Sequence, residues 1–208
     1  MNSVSSNVLT GWSYTRHRLF RWRWELTLGG KLTLCATVAA LTGLLAQVRV
    51  PLGFTPVPVT GQVFAVLLGG VLLGRNYGAL SQLLYVAIGS AGVPWFTGGG
   101  SGFPIGPTGG FLIGFVPAAA LVGWMSDGYV RFRGLAAQTV LMMAAVLVVY
   151  LFGAIHFALV MKTGIVGTLQ GAVLPFVPID AAKALCVAAI TASLLPKTPF
   201  GAERGTSR

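Results

Sequence analysis

Acid is what this chain lacks. Only four of its 208 residues are Asp or Glu, and charged residues of either sign make up 9%. A soluble domain carries about 25% charge, so a water-facing globular fold is excluded. The two cysteines and two histidines are scattered, and none stands at the spacing of a metal site. Cys35 and Cys186 both fall inside apolar runs, where a thiol behaves as a small hydrophobe. His156 is alone in its apolar run and reads as a hydrogen-bonded core histidine rather than a proton relay. No glycine-rich stretch ends in Gly-Lys-Ser/Thr, so a Walker A loop and its route to ATP hydrolysis are absent from the sequence. An intramembrane enzyme would need paired acids, and Asp127 and Asp180 fall at opposite ends of the layout below. No metal and no cofactor is implied.

What the chain has is apolar length. Hydrophobic residues make up 55%, in continuous runs that do not alternate. Continuous runs predict helices rather than a barrel. At about 20 residues per crossing plus loops, there is room for roughly six. The expected spans are 31–48, 59–73, 77–92, 108–126, 135–160 and 177–195. The second and third nearly merge, but Gly74-Arg75-Asn76 is a turn signal that divides them. The reading is an all-α membrane protein, a compact bundle of six transmembrane helices with both termini cytoplasmic. Residues 1–30 form a basic, aromatic arm, 31–195 the membrane domain, and 196–208 a cytoplasmic tail. In the arm, Trp12, Tyr14, Phe20, Trp22 and Trp24 interleave with Arg16, Arg18, Arg21 and Arg23. That mixture either lies in the headgroup layer or hangs free as a basic tail.

The net charge of +10 would suggest nucleic acid in a soluble protein. Here its distribution gives a different explanation. With the N-terminus inside, the inner side collects the arm arginines, Lys31, Arg75, Arg131, Arg133, Lys197, Arg204 and Arg208. The outer side holds only Arg49 and Lys162. This is the asymmetry of the positive-inside rule, and no nucleic acid is needed to account for it.

Against this background Asp180 and Lys183 stand out. Both lie in the last apolar run, three residues apart, on one face of a helix. A charge at membrane depth costs roughly 2.5 kcal/mol or more and is usually paired or functional. The pair is either a ligand site or an ion pair that anchors the helix start. The expected outer loops, 51–58 and 93–107, are apolar and rich in Gly and Pro instead of hydrophilic. Loops of this kind pack over something, and loops on a rigid scaffold carry binding function. The pair and both loops fall on the same side of the membrane.

Five stretches together carry a family resemblance. They are Pro56-Val57-Pro58-Val59-Thr60-Gly61-Gln62, Leu73-Gly74 with Gly78-Ala79-Leu80-Ser81-Gln82-Leu83-Leu84-Tyr85, and Gly92-Val93-Pro94-Trp95-Phe96. Gly106-Pro107-Thr108-Gly109-Gly110-Phe111-Leu112-Ile113-Gly114-Phe115 follows, and then Pro175-Phe176-Val177-Pro178 with Asp180 and Lys183. In this order the chain resembles, over about 31–195, the BioY family, the biotin-specific capture subunit of energy-coupling factor (ECF) vitamin transporters. The resemblance implies a membrane protein, of bacterial type, that binds biotin outside the cytoplasmic membrane. It implies partners: a transmembrane coupling subunit and two ATPase subunits. Another vitamin on the same fold is the alternative. It implies that Asp180 and Lys183 hold the ligand, with Trp95, Phe96, Thr97 and Phe103 forming walls and a lid. Gln62 and Thr108, polar residues near outer span ends, either bind ligand or cap helices. Ala36 and Ala40 match an Ala-x-x-x-Ala that docks on the coupling subunit in the family; internal packing is the other reading for small residues four apart. Two departures stand. Ile179 replaces the usual Gly before the acid, which would narrow the pocket or tilt the helix, and the arm lies outside the resemblance.

Overall fold

The computed structural model describes residues 3–197; the rest of the expected tail, with Arg204 and Arg208, lies outside the described residues. Helix α1 spans Ser3–Glu25 and α2 Leu28–Gln47. A two-residue ribbon pairs β1, Arg49–Val50, with β2, Val59–Thr60, antiparallel. Then come α3 (Gln62–Ser90), α4 (Gly109–Gly128), a single 3-10 turn at Val130–Arg133, α5 (Leu135–Met161), α6 (Ile165–Ala172) and α7 (Val177–Leu194). Five of these helices, α2, α3, α4, α5 and α7, are long and apolar enough to cross a membrane. Helices suit that setting because each satisfies its own backbone hydrogen bonds where water is absent.

Helix α3 is not a straight rod. At Gly74 the backbone takes φ 79° and ψ −179°, a region that is essentially glycine's alone. A Cβ placed on Gly78 would lie 2.9 Å from the Cα of Gly70. In a continuous helix eight residues would separate these by about 12 Å. The chain therefore reverses at Gly74, and residues 62–73 and 75–90 run side by side. Gln62 and Tyr85, 23 positions apart, meet through a 2.8 Å hydrogen bond from Nε2 to the phenol oxygen. Gly70 and Gly78 are the contact that brings the halves together. Gly123 of α4 nests on the same spot, against the backbone of Gly70 and Gly74. Small residues allow such approach where lipid supplies no hydrophobic drive between helices.

The structure alters several boundaries. Val59 and Thr60, expected inside the second span, form β2, where pairing with β1 satisfies their backbone groups. The eight-residue α6 lies in a stretch read as a loop. The arm is a helix held to the bundle, not a free tail. Among the arm's described side chains Phe20 and Arg23 are buried, and Arg23 makes a 2.7 Å ion pair with Asp127 while donating to the carbonyls of Val71 and Leu72. Those carbonyls close the first half of the α3 hairpin, so the arm caps the reversal. Cys35 is buried and Cys186 faces outward; both are free thiols.

Gly74→Ala should destabilise the protein by at least about 1–3 kcal/mol, the usual cost of a side chain held in so sparse a backbone region. The added methyl would also meet the Asp127 carboxylate. A fall in the thermal midpoint in detergent checks this; an unchanged midpoint would show that the reversal tolerates an ordinary residue.

Candidate functional site

A cavity of about 230 Å³ opens at the end of the bundle opposite the Gly74 reversal. It is somewhat smaller than ordinary ligand pockets, which run from roughly 300 to 1,000 Å³. Loop 51–58 and the ribbon supply Val57, Pro58 and Thr60; loop 96–108 covers the top. Phe111 and Phe115 of α4, Tyr150 of α5 and Phe176 before α7 form apolar walls. Asp180 and Lys183 are the charged residues in its lining.

The Asp180 carboxylate is 5% exposed. Its Oδ1 accepts from Lys183 Nζ at 2.7 Å, and its Oδ2 accepts from the Tyr150 hydroxyl at 2.8 Å. Lys183 Nζ donates a second bond to the Thr60 carbonyl at 2.6 Å. Three elements, α7, α5 and β2, are thus tied at one point. An ammonium has three protons, and two are used here. Each carboxylate oxygen keeps a further acceptor site. The pair can present both a donor and an acceptor to a polar ligand.

A second network forms the rim. Gln62 is buried, donates to Tyr85 and accepts from Thr60 Oγ1 at 2.9 Å and Thr97 Oγ1 at 3.1 Å. Gln47, at the end of α2, donates to the carbonyls of Trp95 and Phe96 and accepts from the Gly99 amide. The lid is a tight reversal with a Phe96–Gly100 bridge, and Gly98, Gly99 and Gly102 have φ of 74°, 76° and 87°. His156 Nε2 lies 3.0 Å from the Gly106 carbonyl, so in the tautomer that donates there it pins the far end of the lid.

Asp180, Lys183, Phe96, Thr97, Phe103, Gln62 and Thr108 all line the one cavity. Trp95 does not. Its ring packs on Tyr85 at 5.4 Å and its indole N–H donates to the Tyr85 carbonyl at 3.0 Å, so it supports the lid from behind. Thr108 sits at the N-cap of α4 without a side-chain cap bond. Ile179 is 42% exposed and outside the lining; at the position before Asp180 its side chain points away, so its bulk does not narrow the cavity. Sequence reasoning missed Tyr150 and Gln47. Tyr150 is one aromatic in a long apolar run, and nothing in its spacing announces Asp180 thirty residues away.

The model of the BioY family matches residues 19–200. The chain belongs to the BioY family. The match begins within the arm, so the arm's second half, with Phe20 and Arg23, is part of it. A protein of Methanothermobacter thermautotrophicus described as a probable biotin transporter BioY is 42% identical over 65% of this chain and 92% of its own. A Pyrococcus horikoshii protein of the same description is 39% identical over 81% and 98%. The Rhizobium etli biotin transporter BioY is 33% identical over 80% and 92%. Among solved structures, the S-component for biotin from an ECF-type ABC transporter superposes with a TM-score of 0.74 at 27% identity, covering 81% of this chain and 94% of that one.

Within this BioY fold, Tyr150→Phe would leave Asp180 Oδ2 buried without its donor. The expected cost is about 1.5–3 kcal/mol, as for hydrogen bonds to charged groups. It should appear as a lower thermal midpoint of the ligand-free protein. A midpoint equal to wild type would mean that Oδ2 does not depend on the phenol.

Proposed function

We propose that this chain captures biotin outside the cytoplasmic membrane, as the substrate-specific subunit of an ECF-type transporter. One observation carries the reading: in a member of the BioY family, the cavity's charged pair is Asp180 and Lys183, the acid buried and each with hydrogen-bonding capacity to spare. Biotin has a ureido group on a rigid bicyclic head and a carboxylate on a flexible tail. A carboxylate accepts from ureido N–H groups, and a lysine donates to a carbonyl or carboxylate oxygen. Leaving such groups unpaired on burial would cost about 1–3 kcal/mol each. The bicyclic head is apolar on its faces, and Phe96, Phe111 and Phe176 offer matching walls, with the exposed Phe103 at the mouth.

The topology that goes with this reading has six crossings, the halves of α3 counted separately, and both ends in the cytoplasm. Its support is charge. Arg23, Asp127, Arg133 and Lys197 are linked together at the end away from the cavity: Lys197 donates to the Arg133 carbonyl, and Arg133 to the carbonyl of Asp127. Basic residues gather on the cytoplasmic side of membrane proteins, which puts the cavity outside. The lid, folded on glycines and held by Gln47 and His156, is the gate for entry.

ATP-driven uptake then needs partners: a coupling subunit in the membrane and two ATPase subunits. Helix α2 is the surface offered to them. It is the least buried of the candidate spans at 22%, and Ala36 and Ala40 lie on its outward face. Small residues facing outward allow a partner helix to approach closely. Ala36→Leu with Ala40→Leu should leave biotin binding intact and reduce recovery of the coupling subunit in co-purification by about tenfold or more, as loss of close helix packing predicts. Undiminished recovery would place docking elsewhere.

Calorimetric titration of the purified protein with biotin tests the main claim, beside Asp180→Asn and Lys183→Ala. Stoichiometric binding in wild type, weakened by about a hundredfold or more in each variant, is the expected result; truncating one partner of a buried charge pair commonly costs 2–5 kcal/mol. Binding that survives both changes reduces the pair to a structural anchor. Folded wild type that ignores biotin overturns the proposal, and a vitamin panel then identifies the ligand.

A further inference from the structure

A second cavity, of about 320 Å³, lies at the opposite end of the bundle from the first. The arm, the start of α2, the tip of the α3 hairpin and the end of α4 enclose it. Four cationic side chains line it: Arg23, Lys31, Arg75 and Arg133; Asp127 is the carboxylate among its lining residues. Arg23 is spent on Asp127 and two carbonyls, and Arg133 is 1% exposed and bonded to the carbonyls of Ser126 and Asp127. The other two are different. Lys31 Nζ stands 5.7 Å from the Tyr77 ring centroid and Arg75 Cζ 5.7 Å from that of Trp124. Among the described residues neither has a carboxylate within ion-pair reach. The cavity therefore holds an excess of positive charge, with two cations presented on aromatic faces instead of neutralised.

The surroundings fix the depth. Trp24, Tyr77 and Trp124 line the cavity, and amphipathic rings sit at headgroup level. Leu34 and Leu73 add an apolar floor, beside which a diacylglycerol could lie. Tyr14, Leu19 and Trp22 on the outer face of the arm are exposed, which suits a helix lying along a bilayer surface. Basic pockets between helices at this depth hold anionic headgroups.

We infer that this cavity is a binding site for a phosphate-bearing anion, held between Lys31 and Arg75 and roofed by the arm. A phosphate presents several acceptor oxygens, and Arg75 and Lys31 supply unspent donors for them. The site is separate from the Asp180 cavity and does not depend on what that cavity binds. Its occupant would join the arm, the α2 start and the α3 hairpin through one charged group.

The test titrates the full chain in neutral detergent with phosphatidylglycerol, with phosphatidylcholine of the same acyl chains, and with inorganic phosphate. Native mass spectrometry counts the bound molecules, and the thermal midpoint reports stabilisation. Phosphatidylglycerol should bind one tight site and raise the midpoint, and phosphatidylcholine should do neither. Lys31→Gln with Arg75→Gln should weaken phosphatidylglycerol by about tenfold or more. An unchanged ligand-free midpoint shows that this variant is folded. Arg75→Lys, which keeps the charge but not the fork of donors, should lose less affinity than the double Gln variant and leave the ligand-free midpoint unchanged. If inorganic phosphate alone binds with the same dependence on Lys31 and Arg75, the occupant is a soluble phosphate; if only the lipid does, it is a headgroup. Equal binding of the two lipids with no binding of phosphate overturns the inference, and so does wild-type affinity in the double Gln variant. Loss of affinity in Arg75→Lys accompanied by a lowered ligand-free midpoint also overturns it, because a structural role for the arginine would then explain the result.

Discussion

The burial of Asp180 is the constraint around which the binding end of this molecule is arranged. A carboxylate removed from water has to be neutralised and hydrogen-bonded, or it takes up a proton. Here it has an ammonium on one oxygen and a phenol on the other. Each partner belongs to something else. The ammonium reaches the backbone of β2, and the phenol is carried by α5. One buried charge thus sets the spacing of α5 and α7 and fixes the ribbon beside them. The walls of the cavity follow, because Thr60 and Val149 lie on those elements and Val57 and Phe176 just precede β2 and α7. A buried ion pair is weak evidence for stability, since apolar replacements often do as well. Its retention here, with donors and acceptors unspent, is better explained by the cavity it faces.

The opposite end repeats the device with a different purpose. Arg23 and Asp127 join α1 to α4, and the other terminal nitrogen of the guanidinium donates to two carbonyls at the hairpin. Those carbonyls lie in the last turn before Gly74 breaks the helix, where a backbone acceptor left without a donor at this depth would be costly. Arginine suits the task because its fork of donors meets a carboxylate and carbonyls together. The reversal and the docked arm are therefore joined: removing the arm would take the Arg23 donors away from the carbonyls at the hairpin.

How much of this was readable beforehand depends on how rare each signal is. Asp180 and Lys183 were legible because charge inside an apolar run is expensive and seldom idle. The reversal was legible in Gly74-Arg75-Asn76, although the two helical halves read almost as one run. The aromatics were less informative. Trp95 and Phe96 are adjacent and chemically alike, yet Phe96 lines the cavity and Trp95 lies behind it, held by a bond to the Tyr85 carbonyl. Adjacent residues in a loop diverge in a way that no period predicts. Tyr150 and Gln47 act through partners distant in sequence, and pairing of that kind is decided by the packing of helices. The docking of the arm was hidden for the same reason. Arg23 looks like its exposed neighbours Arg18 and Arg21 until Asp127, 104 positions later, is brought to it.

The lid shows how a mobile-looking sequence can be held. Loop 96–108 is dominated by glycine and proline, and its backbone bends through conformations that side chains avoid. Apart from Phe96, which is buried against Tyr85, the segment gains little from its own side chains: Phe103 and Ile105 are exposed. Its order comes from outside: Gln47 on the backbone at one end, His156 on the Gly106 carbonyl at the other, and Thr97 on Gln62 between them. Few hydrogen bonds are involved, and most of them end on the rim instead of deep in the core. Local stability of this kind is low compared with that of the bundle beneath. Opening of this loop would break bonds at the rim and leave the Asp180 network intact, so on the proposed reading a ligand would enter without dismantling the charge pair at the cavity's base.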